Sequence, residues 1–327
     1  MPAFDSARAV LCVDIGGTST KAGILTSSGK LTFVDSIPTR PDPDSFADQL
    51  CNLIERIQLA ARAQQVELSG LGVAVAGFLN PERDRLVYNS NLPWLQDFPL
   101  RSRLADRFEM PIELEVDSNA AAMAEYCFGS GRNSGRFLCV TSGTGLGVAM
   151  VIDGAPLRFA YGCLGDMGHI IVQRNGPLCT CGGRGCAEAL VSAPSLAKRY
   201  KEKIGSSSAV SLRDVISAAR TLDETAVSIL EEAGEWLGLA IASMANTFFP
   251  DHIAVAGGLS EAGDFLMKPL ERAFLCSASE FARSRTSLTR ASLGASATLI
   301  GAAWPFFRAT NTGQLRSPAL PASAEAL

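Results

Sequence analysis

Several things are scarce in this sequence of 327 residues, and each scarcity excludes something. Histidine occurs twice, tryptophan three times and tyrosine four times. Charge of one sign is lacking: 29 basic against 33 acidic residues leave a net charge of −4. That balance gives no electrostatic footprint for nucleic acid, and none is expected as a partner. The short basic stretch "AKRYKEK" (197–203) reads as a solvated helix face. No run approaches the ~18 apolar residues of a membrane span, and the opening "MPAFDSARAVLCVDIGG" lacks the basic-then-apolar order of a signal peptide. A cytoplasmic protein with no membrane partner is therefore expected. Nine cysteines in such a chain read as reduced thiols or metal ligands.

What is present is α/β patterning. Residues 9–15 form an apolar run suited to a buried strand, and 22–38 read as a hairpin turning at Ser28-Gly29. The stretch "DPDSFADQLCNLIERIQLAARAQ" has helical period, with Phe46, Leu50, Leu53, Ile54, Ile57 and Ala61 on one face. After residue 136 the order nearly repeats: strand, Gly/Thr turn, strand, then helices and "HIAVAGGLS". Two α/β lobes are expected, 1–117 and 118–294, with 295–310 packing back on the first. The Pro/Ser/Ala-rich tail 311–327 is expected to be poorly ordered.

Three glycine turns follow strands: "DIGGTST" (14–20), "TSGTGLG" (141–147) and "AGGLS" (256–260). Glycine allows close approach of a ligand to the backbone, so successive N–H groups can face phosphate oxygens. Asp14 beside the first turn suits a hydrated Mg²⁺. Tight turns use glycine without any ligand too, yet three at strand ends favour a nucleotide between lobes. None matches a P-loop or a dinucleotide fingerprint.

A second constellation is "GHIIVQRNGPLCTCGGRGCAEAL", which sets His169 before Cys179, Cys181 and Cys186. A closed Cys₃His set implies structural zinc; the alternative is three core cysteines and an incidental histidine. The remaining six cysteines read as core. In "ELEVDSNAAAMAE", Asp117 closes a strand before a helix. It suits either a proton acceptor at a lobe boundary or a plain helix N-cap.

Together these motifs resemble the ROK family of sugar kinases, within the two-lobed actin/hexokinase/Hsp70-like (ribonuclease H-like) ATPase fold. The resemblance runs from Asp14 to about Gly301 and follows the order of "DIGGTSTK", "VAVAGFLNP", "NSNLPW", "VDSNAAAMAE", "TSGTGLG", "GDMGHIIVQRNGPLCTCGGRGCAE" and "AVAGGLS". It implies that Asp14, Gly16, Gly17, Thr18 and Lys21 surround Mg-ATP phosphates, with Gly143, Thr144 and Gly145 as the second phosphate loop. Gly257 and Gly258 would lie against adenosine. Asp117 matches the base that takes the proton of a sugar hydroxyl. Gly77, Asn91, Asp166, His169 and Glu188 fall at sugar-facing positions, and His169 also serves the zinc site.

The resemblance further implies a homodimer that phosphorylates a hexose or hexose derivative at its primary hydroxyl. A DNA-binding repressor of the same family needs a helix-turn-helix, and only thirteen residues precede Asp14. A catalytically silent sugar-binding regulator is the other alternative. Two departures bear on the sugar: Val116 stands where the family usually has Asn, and Asp166 where it usually has Glu. Together they disfavour plain glucose as the preferred substrate; the alternative is that Val116 points into the core and a water replaces the missing methylene, which leaves glucose acceptable.

Overall fold

The computed structural model describes residues 9–308 apart from 27, 41, 90 and 91. The tail 311–327 and the candidate sugar residue Asn91 lie outside the described residues.

The first sheet is built around β1 (Ala9–Ile15), whose unbroken apolar run is buried on both faces. The strand pairs antiparallel with β2 (Ser19–Leu25), which pairs antiparallel with β3 (Leu31–Pro38). Helix α1 (Pro43–Ala63) follows, with proline in its first turn and Asp42 accepting the Ser45 N–H at 2.9 Å. It buries the six residues of its apolar stripe. The chain continues through β4 (Leu68–Val75), the small hairpin β5 (Phe78–Leu79) and β6 (Leu86–Tyr88), α2 (Leu100–Ala105) and β7 (Ile112–Val116). The strands β1, β4 and β7 are parallel, so the sheet order is β3-β2-β1-β4-β7.

Helix α3 (Asp117–Phe128) then leads to β8 (Arg136–Ser142), β9 (Leu146–Ile152) and β10 (Ala155–Pro156). Four helices follow: α4 (Ala187–Val191), α5 (Ala193–Lys203), α6 (Leu212–Arg220) and α7 (Glu224–Phe248). Then come β11 (His252–Ala256), α8 (Asp264–Ser277), α9 (Glu280–Arg283) and β12 (Ser287–Arg290). The second sheet has the order β10-β9-β8-β11-β12, antiparallel across its first three strands and parallel across the rest. It repeats the first sheet strand for strand, as the repeated element order suggests.

Helix α3 is wedged between the sheets. Ala120, Ala121 and Ala124 pack with Val10, Cys12 and Ala74 of the first sheet. Ala122 and Met123 pack with Phe137, Cys139 and Ala254 of the second. Small side chains let both sheets approach it closely. Helices α10 (Ala297–Gly301) and α11 (Trp304–Arg308) return to the first sheet, against α3 and β4. Here Gly301 has a steric reason: a Cβ on it would sit 1.7 Å from the Ala120 carbonyl oxygen. Because α3 starts where β7 ends, its first residue is delivered to the crevice between the sheets.

Candidate active site

Asp14 stands one residue before the end of β1, opposite Lys21 on β2. In the turn between these strands the Gly16 N–H donates to the Ser19 carbonyl at 3.2 Å, and the Thr39 hydroxyl donates to the Gly16 carbonyl at 2.8 Å. Thr18 is exposed at the tip. The second sheet places Gly143, Thr144 and Gly145 in the equivalent turn between β8 and β9, where the Gly143 N–H donates to the Gly145 carbonyl at 2.9 Å. A side chain on Gly143 would meet nothing within 4 Å, so packing does not explain the glycine there. Gly257 is different. It has φ +85°, and a Cβ would come within 2.2 Å of the Ser142 carbonyl oxygen. That glycine is required for strand packing.

Asp117 is the first residue of α3, and Val116 holds the N-cap position in extended conformation without a side-chain cap bond. The Asp117 Oδ1 accepts the Ser118 N–H at 2.7 Å. The carboxylate is thus inside the first turn and directed to the crevice, which is not N-cap geometry. Removal from water and the neighbouring Asp14 carboxylate push its pKa up to about 7, against the opposing pull of the Ser118 N–H. Burial pushes Asp14 up to about 6, while Lys21 draws it down. Two carboxylates converge with too little positive charge between them, an arrangement suited to a divalent cation.

A cleft of about 260 Å³ joins these parts. Its walls include Gly16, Gly17, Gly77, Asp117, Gly143, Thr144, Gly145, Asp166, His169 and Glu188. Asp14, Thr18 and Lys21 lie beside the first turn rather than in the walls, and Gly257 and Gly258 lie beyond the second. Gly77 has φ +106°, and a Cβ would sit 2.4 Å from the Tyr88 carbonyl oxygen. Glu188 at the start of α4 accepts the Leu146 N–H at 2.9 Å, tying α4 to the second turn. Burial raises the Asp166 pKa, His169 lowers it, and Glu188 raises it again.

Sequence reasoning missed several wall residues. Phe78 and Tyr88 line the cleft and stack at 6.0 Å. Asn89 donates to the Ala76 carbonyl at 2.6 Å and accepts the Leu92 N–H at 3.1 Å, fixing the backbone around Gly77. Its position two residues before Asn91 in "NSNLPW" was the available signal. Val116 is 3% exposed and belongs to the first core, yet its remaining surface faces the cleft.

The four candidate metal ligands come together. Their ligand atoms all lie within 4.8 Å of one another. Cys181 Sγ is 3.7 Å from Cys186 Sγ, and Cys179 Sγ is 3.4 Å from His169 Nδ1. Tetrahedral zinc with Zn–S near ~2.3 Å and Zn–N near ~2.0 Å separates sulfurs by about 3.8 Å and S from N by about 3.5 Å. The donor set fits zinc. The Gly183 N–H holds the exposed Cys181 thiol below its ordinary pKa. Of the six cysteines expected in the core, Cys12, Cys139 and Cys163 are buried, Cys51 and Cys127 half-buried, and Cys276 exposed. Cys276 lies two residues past buried Phe274 on α8, on the face turned away from Leu266 and Leu270. No described helix is long and apolar enough to cross a membrane.

Comparison with known proteins returns a family model described as ROK family, matching residues 10–308. A glucokinase of Streptomyces coelicolor is 30% identical over 277 residues, covering 80% of this chain and 86% of the relative. The crystal structure of a ROK family glucokinase from Streptomyces griseus in complex with glucose and AMPPNP has a TM-score of 0.81 at 28% identity, covering 91% of this chain and 98% of that one. A xylose repressor of Bacillus subtilis is 28% identical over 228 residues, covering 70% of this chain and 58% of the repressor.

Proposed function

This chain belongs to the ROK family, with the actin/hexokinase-like fold, and from that premise we propose that it is an ATP-dependent kinase acting on the primary hydroxyl of a hexose or hexose derivative. The two sheets with their helices are the lobes of this reading, 1–117 and 118–294. One observation carries it: the Asp117 carboxylate opens into a cleft lined by both glycine turns and by Asp166, His169 and Glu188.

In this reading the turns at 16–17 and 143–145 hold ATP phosphates through the backbone N–H groups of Gly17, Thr144 and Gly145, those of Gly16 and Gly143 being bonded within the turns, and Asp14 holds magnesium beside them. Bound magnesium neutralises phosphate charge, and bound zinc fixes the His169 ring. Asp166, His169 and Glu188 orient the sugar so that its hydroxyl meets Asp117. Asp117 takes the hydroxyl proton as that oxygen attacks the γ-phosphorus, and a pKa near neutrality suits a base working near pH 7. The rest of the rate comes from alignment and from excluding water.

The glucokinase relatives support the kinase reading, and the xylose repressor supports a silent sugar-binding regulator as the alternative. One experiment separates them. Purified protein with ATP and Mg²⁺ is offered hexoses, N-acetylhexosamines and polyols while ADP release is followed. A kinase turns over at least one of them. A protein that binds a sugar calorimetrically but never releases ADP with any is the regulator.

A further inference from the structure

Two residues before Asp117, Glu115 has a fully buried side chain. Its Oε1 accepts the Val116 N–H at 3.0 Å and the Asn119 side-chain amide at 2.9 Å. Its Oε2 faces two guanidinium groups: Arg83 at 3.5 Å, from the β5–β6 hairpin, and Arg158, from the segment after β10. The Asn119 amide also donates to the Gly162 carbonyl at 2.7 Å. Thus residues 158 and 162, after β10 of the second sheet, are tied to residues 115 and 119, which flank Asp117 at the end of β7 and the start of α3.

The tied segment is not relaxed. Tyr161 lies in the left-handed region at φ +61°, a conformation that persists for such a residue only when neighbours hold it. Four residues beyond Gly162 comes Asp166 in the cleft wall. Stability does not account for the cluster, because an apolar replacement of a buried ion pair is often as stable or more so. The cluster also keeps two buried polar atoms, Asn119 Oδ1 and Arg158 Nε, without a hydrogen-bond partner among the described residues. Packing apolar side chains there would leave no such atoms.

We propose that Glu115 and Arg158 are a positioning pair that sets Asp117 against the segment carrying Asp166, across the cleft. The proposal rests on the kinase reading for its effect on rate. Neither residue touches the reacting atoms. Arg158 fixes where the 158–166 segment begins, and Glu115 fixes the first turn of α3. A displacement of about 1 Å between base and substrate costs roughly a hundredfold in rate.

The test uses the double variant Glu115→Gln/Arg158→Met, which removes both charges of the pair and leaves the partly exposed Arg83 with Glu113 at 3.9 Å, alongside Arg158→Lys. The double variant is expected to lower kcat about tenfold to a hundredfold with KM for ATP within about twofold of wild type. Arg158→Lys, which keeps the charge but loses the planar fork, is expected to fall between the two. A double variant with kcat within about twofold of wild type overturns the proposal. So does a kcat loss matched by equal rises in both KM values, the mark of general loosening. If the wild-type protein turns over no sugar, the kinase reading has failed, and hydrogen exchange decides the positioning role instead. The Phe159 N–H, bonded to the Cys163 carbonyl at 2.8 Å, is expected to lose about tenfold of its protection in the double variant. Unchanged exchange there overturns the pair.

Discussion

The carboxylate of Asp166 lies 3.5 Å from Nε2 of His169, the ring nitrogen turned away from the cysteine cluster. The opposite nitrogen, Nδ1, is the one beside Cys179. One imidazole therefore lies between the cysteine cluster and the cleft wall. A metal held at Nδ1 would fix the ring in both contacts.

Cys181→Ala is accordingly expected to lose zinc and weaken sugar binding about tenfold, measured by elemental analysis and calorimetry. ATP affinity should move less, because the Cys₃His cluster and the turns at 16–17 and 143–145 are separate elements. Wild-type protein purified without zinc would overturn this account.

Asp117→Asn is expected to reduce kcat by about 10²–10⁴-fold while sugar affinity stays near wild type. The amide preserves size and still accepts the Ser118 N–H, which holds the side chain at 2.7 Å in the first turn of α3. It cannot take a proton. Retention of more than about a tenth of wild-type kcat would make Asp117 a structural residue.

The same carboxylate predicts a stability effect of definite sign. Folding raises Asp117 from 3.8 to about 7 and Asp14 from 3.8 to about 6, so the folded protein binds these protons more tightly. That contribution is complete below pH ~4 and is lost as pH rises through about 6 to 7. Each unit between folded and unfolded values is worth about 1.4 kcal/mol, and solvent in the cleft screens part of it. In the absence of divalent cation, wild type should therefore lose stability relative to Asp117→Asn between pH 4 and pH 7, followed by thermal melts. Mg²⁺ with ATP should remove much of that difference. Parallel melting curves for the two proteins across this range would contradict it.

Substrate choice is expected to follow Val116 and Asp166. Val116 offers no polar side-chain atom, and its own N–H is taken by Glu115. A sugar hydroxyl left without a partner at this wall loses ~1–3 kcal/mol. Asp166 reaches one methylene less far than a glutamate. Glucose should therefore rank below at least one other hexose or hexose derivative in kcat/KM. Val116→Asn with Asp166→Glu should shift preference toward glucose. If glucose leads the wild-type panel tenfold or more, these two residues do not set the preference.

Much of the molecule is legible in local order. The six apolar residues spaced along 46–61 are the buried face of α1, since helical geometry repeats within a few residues and needs no distant partner to define a face. The four candidate metal ligands were readable for a similar reason. All four fall between His169 and Cys186, and the glycines between them permit the wrap that brings their donor atoms within 4.8 Å. The repeated strand–turn–strand order likewise foretold two sheets of the same topology.

Other features depended on contacts the linear order does not display. The alternation in "IELEV" gives Glu113 and Glu115 equal standing, yet Glu113 is half-exposed and Glu115 fully buried. Its partners include Arg158 and Arg83, 43 and 32 residues away. Gly257 reads as a ligand-facing glycine in the sequence, and the structure adds a constraint the sequence does not display, the Ser142 carbonyl on the neighbouring strand. Asp117 reads equally as a helix cap or a base in the sequence; the structure places it inside the first turn of α3, where burial and then Asp14 raise its pKa. Backbone periodicity is set by neighbours in sequence, so the chain alone determined the elements and the Cys₃His cluster. The burial and charge state of a polar group are set by whatever packs against it, and only the tertiary structure supplied those partners.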